Sequence, residues 1–185
     1  MIENILIIDC ETTGLHVSHG ATLIEVCCVL YNVKHQNVLQ IYSTLLPCEA
    51  NPVEKINKIS PELTKSNYSL RTLTTIQDMI DHSDALVAHN AQFDRNFVEA
   101  HLLSFLKPIR WICTRNDFPW PIEVNRRRLR DVCQGMGVVY EEIHRAYYDC
   151  MLLVQCFNKI EDLFHIFNLI HTRLSTKGVE KPVDK

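Results

Sequence analysis

The stretch Ile5-Leu6-Ile7-Ile8-Asp9-Cys10-Glu11-Thr12-Thr13-Gly14 decides how the rest of this chain is read. Four aliphatic residues in succession predict a central strand buried on both faces. Side chains alternate along a strand, so Asp9 and Glu11 share a face. Two carboxylates side by side at the end of a buried strand repel, and a fold keeps them only where something neutralises them. An N-terminal strand running into a solvated acidic loop would give the same pattern. The sharper alternative is a hard divalent cation held by oxygen ligands, and it requires further acids elsewhere in the chain.

The bulk composition narrows the setting. A chain of 185 residues fits one domain with a single core and a short tail. No apolar run is long enough to span a membrane, and the N-terminus has no basic segment followed by an apolar stretch and a cleavage site. A formal net charge of −3 argues against a protein that coats nucleic acid non-specifically, but it leaves room for an enzyme that grips a few phosphates. The cysteines form no CxxC pair and no Cys/His cluster of zinc spacing, so they read as free thiols in a reducing cytoplasm.

Outward from the first strand, Thr22 to Asn32 and Val38 to Leu46 read as two strands of a hairpin, which predicts a mixed sheet. Glu25 lies in the first of them, either exposed or beside Glu11. Asn51 to Leu63 reads as a loop with a short helix, in which Pro52 suits a first helical turn and Ser60-Pro61 breaks the pattern. Lys55, Lys58 and Lys65 fit a solvated face better than phosphate contacts. Leu73, Ile76 and Ile80 give a helix one apolar stripe. Asp84 to Ala88 predicts a short strand parallel to the first. It opens into His89-Asn90-Ala91-Gln92-Phe93-Asp94, where Asn90 suits an N-cap and Asp94 the first helical turn. Phe93, Phe97, Ala100 and Leu103 are expected to face the core. Trp111 to Cys113 reads as another strand, followed by an irregular loop over Thr114 to Val124. Arg126, Arg127, Arg128 and Arg130 form a basic patch, read equally as phosphate contacts or as a solvated helix start. Trp120 reads as loop packing before base stacking. Leu129, Val132, Cys133 and Met136 mark a short helix that ends near Gly135 and Gly137.

In the last helical region Asp149, Leu153, Cys156, Ile160, Leu163, Phe167 and Ile170 follow alternating steps of four and three, one continuous apolar stripe. Asp149 is in phase with it, and an acid facing the core calls for a partner. His144 lies five residues upstream. Residues 175–185 lack periodicity and read as a disordered tail after a domain over 1–174.

If the first and fourth strands are adjacent and parallel, their C-terminal ends share the edge where open α/β sheets carry their sites. Asp9, Glu11, Asp94 and Asp149 would converge there. Four acids suit two Mg²⁺ or Mn²⁺ ions, which at a spacing of about 4 Å serve phosphoryl chemistry. His144 is suited to deprotonate a water.

Asp9-Cys10-Glu11-Thr12-Thr13-Gly14, then His89 to Asp94, then His144 with Asp149, resemble in order the three motifs of the DnaQ-like DEDDh 3′→5′ exonucleases. Leu129-Arg130-Asp131-Val132 and His144-Arg145-Ala146 are also similar to the family pattern. The resemblance spans about residues 4 to 158. It implies an α/β fold with a ribonuclease H-like mixed five-stranded sheet flanked by helices on both faces. It also implies a metal-dependent enzyme that releases nucleoside 5′-monophosphates from a nucleic-acid 3′ end. Asp9, Glu11, Asp94 and Asp149 would be metal ligands, with Asp9 bridging two ions, and His144 the general base. Thr12, Thr13, Gly14 and Leu15 would receive the 3′-terminal nucleotide, with Leu15 wedged against the base. His89, Asn90 and Phe93 would support the substrate strand. Asn57 and Lys58 stand where many relatives have His and Gly. DNA or RNA as substrate, polymerase association and a homodimer all stay open. The competing readings are an oligoribonuclease-like enzyme for short oligonucleotides and a non-catalytic nucleic-acid-binding module on the same fold.

Overall fold

A computed structural model describes residues 1–65, 70–102, 109–123 and 127–177. The aliphatic run becomes strand β1 (Asn4–Thr12), which lies in the middle of a five-stranded sheet. β2 (Leu23–Asn32) and β3 (Asn37–Leu45) extend it antiparallel on one side. β4 (Ala85–Ala88) and β5 (Trp111–Cys113) extend it parallel on the other, giving the order β3-β2-β1-β4-β5. The mixed sheet and the parallel pairing of β1 with β4 are as the sequence predicts.

Both faces of β1 are covered. Ile5 and Ile7 join Cys27, Val29 and Tyr31 in a core that takes in α5 (Leu129–Gly135), α6 (Ala146–Phe157) and α7 (Leu163–Lys177). Leu6, Ile8 and Cys10 point the other way, toward α3 (Leu70–Asp81) and α4 (Ala91–His101). This alternation places Asp9 and Glu11 on the α6 face, where Asp149 lies in the first turn of α6.

Three expectations need correction. Pro52 lies ahead of the Val53 N-cap rather than in the first turn of α1 (Glu54–Asn57), while Ser60-Pro61 breaks the pattern by separating α1 from α2 (Pro61–Thr64), with Pro61 in the first turn of α2. Proline fits there because its missing N–H would have had no helical partner. The last apolar stripe is carried by two helices, not one. The chain leaves α6 through tight turns, in which Lys159 N–H bonds Cys156 O and Ile160 N–H bonds Phe157 O. Asp162 then starts α7 by accepting from His165 N–H at 3.4 Å. Leu153, Cys156, Ile160, Leu163, Phe167 and Ile170 are all buried nonetheless, because the turn preserves the side that faces the sheet. On α4 the buried face is Asp94, Phe97, Val98 and Leu102, while Ala100 is exposed. Leu103 lies outside the described residues. The same rotation brings Asp94 inward. Helix α7 runs to Lys177.

Candidate active site

The acids meet at the C-terminal edge of β1 and β4. One carboxylate oxygen each from Asp9, Glu11 and Asp149 lies within 4.8 Å of the others. Asp94 stands outside that trio, yet its charge is the largest electrostatic influence on Asp9. Asp94 is only 3% exposed.

Burial and mutual repulsion push every one of these carboxyls upward. Asp9 is raised well above the usual range by burial, then by Asp94, Asp149 and Glu11. Glu11 is pushed up to about 8 by burial, then by Asp149 and Glu25, with Arg145 opposing. Burial takes Asp94 to about 7 even though hydrogen bonds from its own backbone and from Cys10 stabilise the charged form. Burial raises Asp149 to about 6, with His144 opposing. Acids that hold protons near neutrality are ones whose charge the protein does not fully compensate once they ionise, and an all-oxygen donor set of this kind fits a hard cation.

His144 precedes α6 with φ 53°, a left-handed backbone, and its Nε2 is 3.4 Å from Glu142 Oε1. The turn after β1 is held from within. Thr12 Oγ1 donates to Gly14 O at 2.6 Å, Thr13 N–H bonds Thr22 O, and Thr22 N–H bonds Thr13 Oγ1, both at 2.9 Å. The register with β2 shifts between Glu11 and Thr12, so that Thr12 pairs with Leu23. A Cβ on Gly14 would lie 3.3 Å from Ala21 Cβ, so this position is tight. Leu15 is 75% exposed, an apolar side chain standing in solvent. Asn57 is buried behind the turn. Its Nδ2 donates to Thr12 O at 3.3 Å, while its Oδ1 accepts from Asn51 Nδ2 at 2.9 Å and from Ile59 N–H at 3.2 Å.

The second motif divides. Asn90 is the N-cap of α4 by position, but its side chain makes no capping bond and is exposed. Phe93 is half-buried against Phe97, with ring centroids 4.9 Å apart. His89 has both ring nitrogens engaged within the protein. Nε2 meets the carbonyl of Arg127 at 2.9 Å and must donate, so in the neutral ring Nδ1 accepts from Thr114 Oγ1 at 3.0 Å. Burial lowers its pKa to about 4, consistent with that neutral form. The bond holds the arginine segment beside the site; Arg126 itself lies outside the described residues. Trp120 is buried, donating to Thr114 O and stacked on Phe157, as loop packing requires.

The functional pair that sequence reasoning did not connect is Glu25 with Arg145. Arg145 Nη2 reaches Glu25 Oε1 at 2.6 Å, and its Nε lies 3.1 and 3.0 Å from the two carboxylate oxygens. The available signals were an acid on the second strand and an arginine directly after the candidate base.

Comparison with known proteins relates the chain to nucleases and polymerase subunits. A segment of the DNA polymerase III PolC-type protein of Bacillus subtilis is 28% identical over 160 residues, covering 80% of this chain. The chain spans 11% of that protein's length, and 10% of the similar Bacillus cereus protein. The DNA polymerase III subunit epsilon of Treponema pallidum is 28% identical over 159 residues, covering 80% of this chain and 72% of that one. Among solved structures, the nuclease domain of 3′hExo, a DEDDh family member bound to rAMP, superposes with a TM-score of 0.68 at 17% identity, covering 100% of this chain and 97% of that one. Exonuclease X in complex with 5′ overhanging duplex DNA gives 0.57 at 23%, covering 90% and 99%. These likenesses show the ribonuclease H-like fold. Among the described residues, no helix is long and apolar enough to cross a membrane. The family model for the exonuclease family that includes ribonuclease T matches residues 6–157, from the first aliphatic strand to the end of α6, and the chain belongs to that DnaQ-like DEDDh exonuclease family.

Proposed function

We propose that this chain is a divalent-metal-dependent 3′→5′ exonuclease that releases nucleoside 5′-monophosphates. The observation that carries the reading is the convergence of Asp9, Glu11 and Asp149, with buried Asp94 behind them, at the sheet edge of a chain in an exonuclease family. Asp9, Glu11, Asp94 and Asp149 hold Mg²⁺ or Mn²⁺, cations whose preference for oxygen matches the donor set. When bound, such ions supply Lewis acidity at the phosphoryl oxygens and neutralise charge around the attacked phosphate.

The chain's own residues do the rest. His144 takes the proton from the attacking water. The turn from Thr12 to Leu15 receives the 3′-terminal nucleotide; its internal bonds keep it rigid, and Leu15 offers an apolar surface to the base. Exposed Asn90 and half-buried Phe93 support the strand behind the scissile phosphate. His89 acts by holding the Arg127 segment, since its ring nitrogens are engaged there. The eight free cysteines support a reducing compartment such as the cytoplasm. Association with a polymerase is a second reading, favoured by the similarity to a protein named as a polymerase III subunit.

The test is Asp9→Asn, assayed on 5′-labelled oligonucleotides with Mg²⁺ or Mn²⁺. Cleavage falls at least ~100-fold while the fold is retained. A wild-type rate in this variant would contradict the assignment.

A further inference from the structure

Glu25 faces Glu11 directly across the β1–β2 ladder. Like charges in that position repel, and a buried carboxylate is costly unless it is bonded. Glu25 is nevertheless 2% exposed. It accepts from Arg145 Nε and Nη2 and, through Oε2, from Ala146 N–H at 3.0 Å. These donors belong to the two residues that immediately follow His144.

That placement matters because of the backbone at His144. A non-glycine residue at φ 53° is strained, and such a conformation persists where its surroundings over-determine it. Arg145 is the N-cap of α6, with its carbonyl accepting from Asp149 N–H at 3.1 Å. Its side chain and the next main-chain N–H are both tied to one carboxylate on a central strand. The direction in which His144 leaves the chain is therefore set from β2. Asp149 has a separate anchor, because α6 packs into the core through Cys150, Leu153, Cys156 and Phe157.

We infer that Glu25 and Arg145 are positioning residues for the general base, a two-residue clamp that aims His144 at the attacking water without touching substrate. The inference rests on the reading of His144 as the base. The loss caused by the charge-conserving Arg145→Lys should therefore be that of a misaimed His144.

The test is a double-mutant cycle under single-turnover conditions, using a 5′-labelled oligonucleotide of the polymer that the wild type digests. Glu25→Gln and Arg145→Lys each lower the cleavage rate ~10–100-fold. For Arg145→Lys, which keeps the charge beside Glu11, binding of a phosphorothioate oligonucleotide in Ca²⁺ and the half-saturating Mg²⁺ concentration stay within about twofold of wild type. In a His144→Ala background neither substitution lowers the rate further. Should Glu25→Gln fail to fold, Arg145→Lys carries the test, since that side chain is 41% exposed. Losses that multiply with His144→Ala, or unchanged rates in both clamp variants, would overturn the clamp and leave the base assignment standing. A wild-type rate in His144→Ala alone would overturn the base, and the clamp with it.

Discussion

Removing divalent metal should make this protein less stable as pH rises, and the structure sets the size of the effect. Glu11 titrates near 8 in the folded chain against 4.5 in its ordinary state. Between those values the folded state holds a proton that the unfolded state has released, so stability falls as pH climbs. Burial also gives His89 a pKa of about 4 against 6.5, which works in the opposite direction below pH 6.5. The carboxylate effect is therefore cleanest above pH 6.5. From pH 6.5 to 8 Glu11 alone accounts for about 2 kcal/mol, since each pH unit in that window is worth about 1.4 kcal/mol. For a chain of this size that is ~4–8 °C in Tm. The measurement is thermal unfolding in EDTA across this window, followed by millimolar Mg²⁺ at pH 8. The expected result is a Tm that drops with pH and is recovered by Mg²⁺, because the ion binds the deprotonated carboxylates of the folded state. Glu11→Gln should make the EDTA profile shallower and raise the Tm at pH 8. A flat profile for the unaltered protein, together with no gain from Mg²⁺, would refute the idea that these acids await a cation.

Other expectations follow from single contacts. Leu15→Ala should leave the Tm unchanged, because the side chain stands in solvent, while raising KM several-fold in steady-state digestion. Asn57→Ala should cost about 1–3 kcal/mol in urea unfolding, since it removes the bonds to the carbonyl of Thr12 and from the N–H of Ile59 in a buried site. Asp94→Asn should abolish cleavage and, in EDTA, raise the Tm by relieving Asp9; a lower Tm would mean that Asp94 is chiefly structural.

The parts of this molecule that were legible in sequence are those written in short-range pattern. The β1 run, its alternation of Asp9 and Glu11, and the strand before His89 are local signals, and each element is found where the pattern puts it. The break between α6 and α7 was hidden because the steps of four and three continue across it without glycine or proline. Asp162, a capping residue before an apolar run, was the only mark of a new helix start. The face of α4 was read from Phe93 and Ala100, but packing against β1 chose the side bearing Asp94. The Glu25–Arg145 pair joins residues 120 positions apart, and pairing over that distance is a property of the folded sheet. The two bonds of His89 depend likewise on loops that return from residues 114 and 127.

The most direct measurement is a time course on 5′-labelled DNA and RNA strands, single and duplex, with Mg²⁺ or Mn²⁺. The account predicts a ladder that shortens by one nucleotide at a time from the 3′ end, with nucleoside 5′-monophosphates as the released product. Internal fragments at the earliest times, or no cleavage of any strand with either ion, would contradict it.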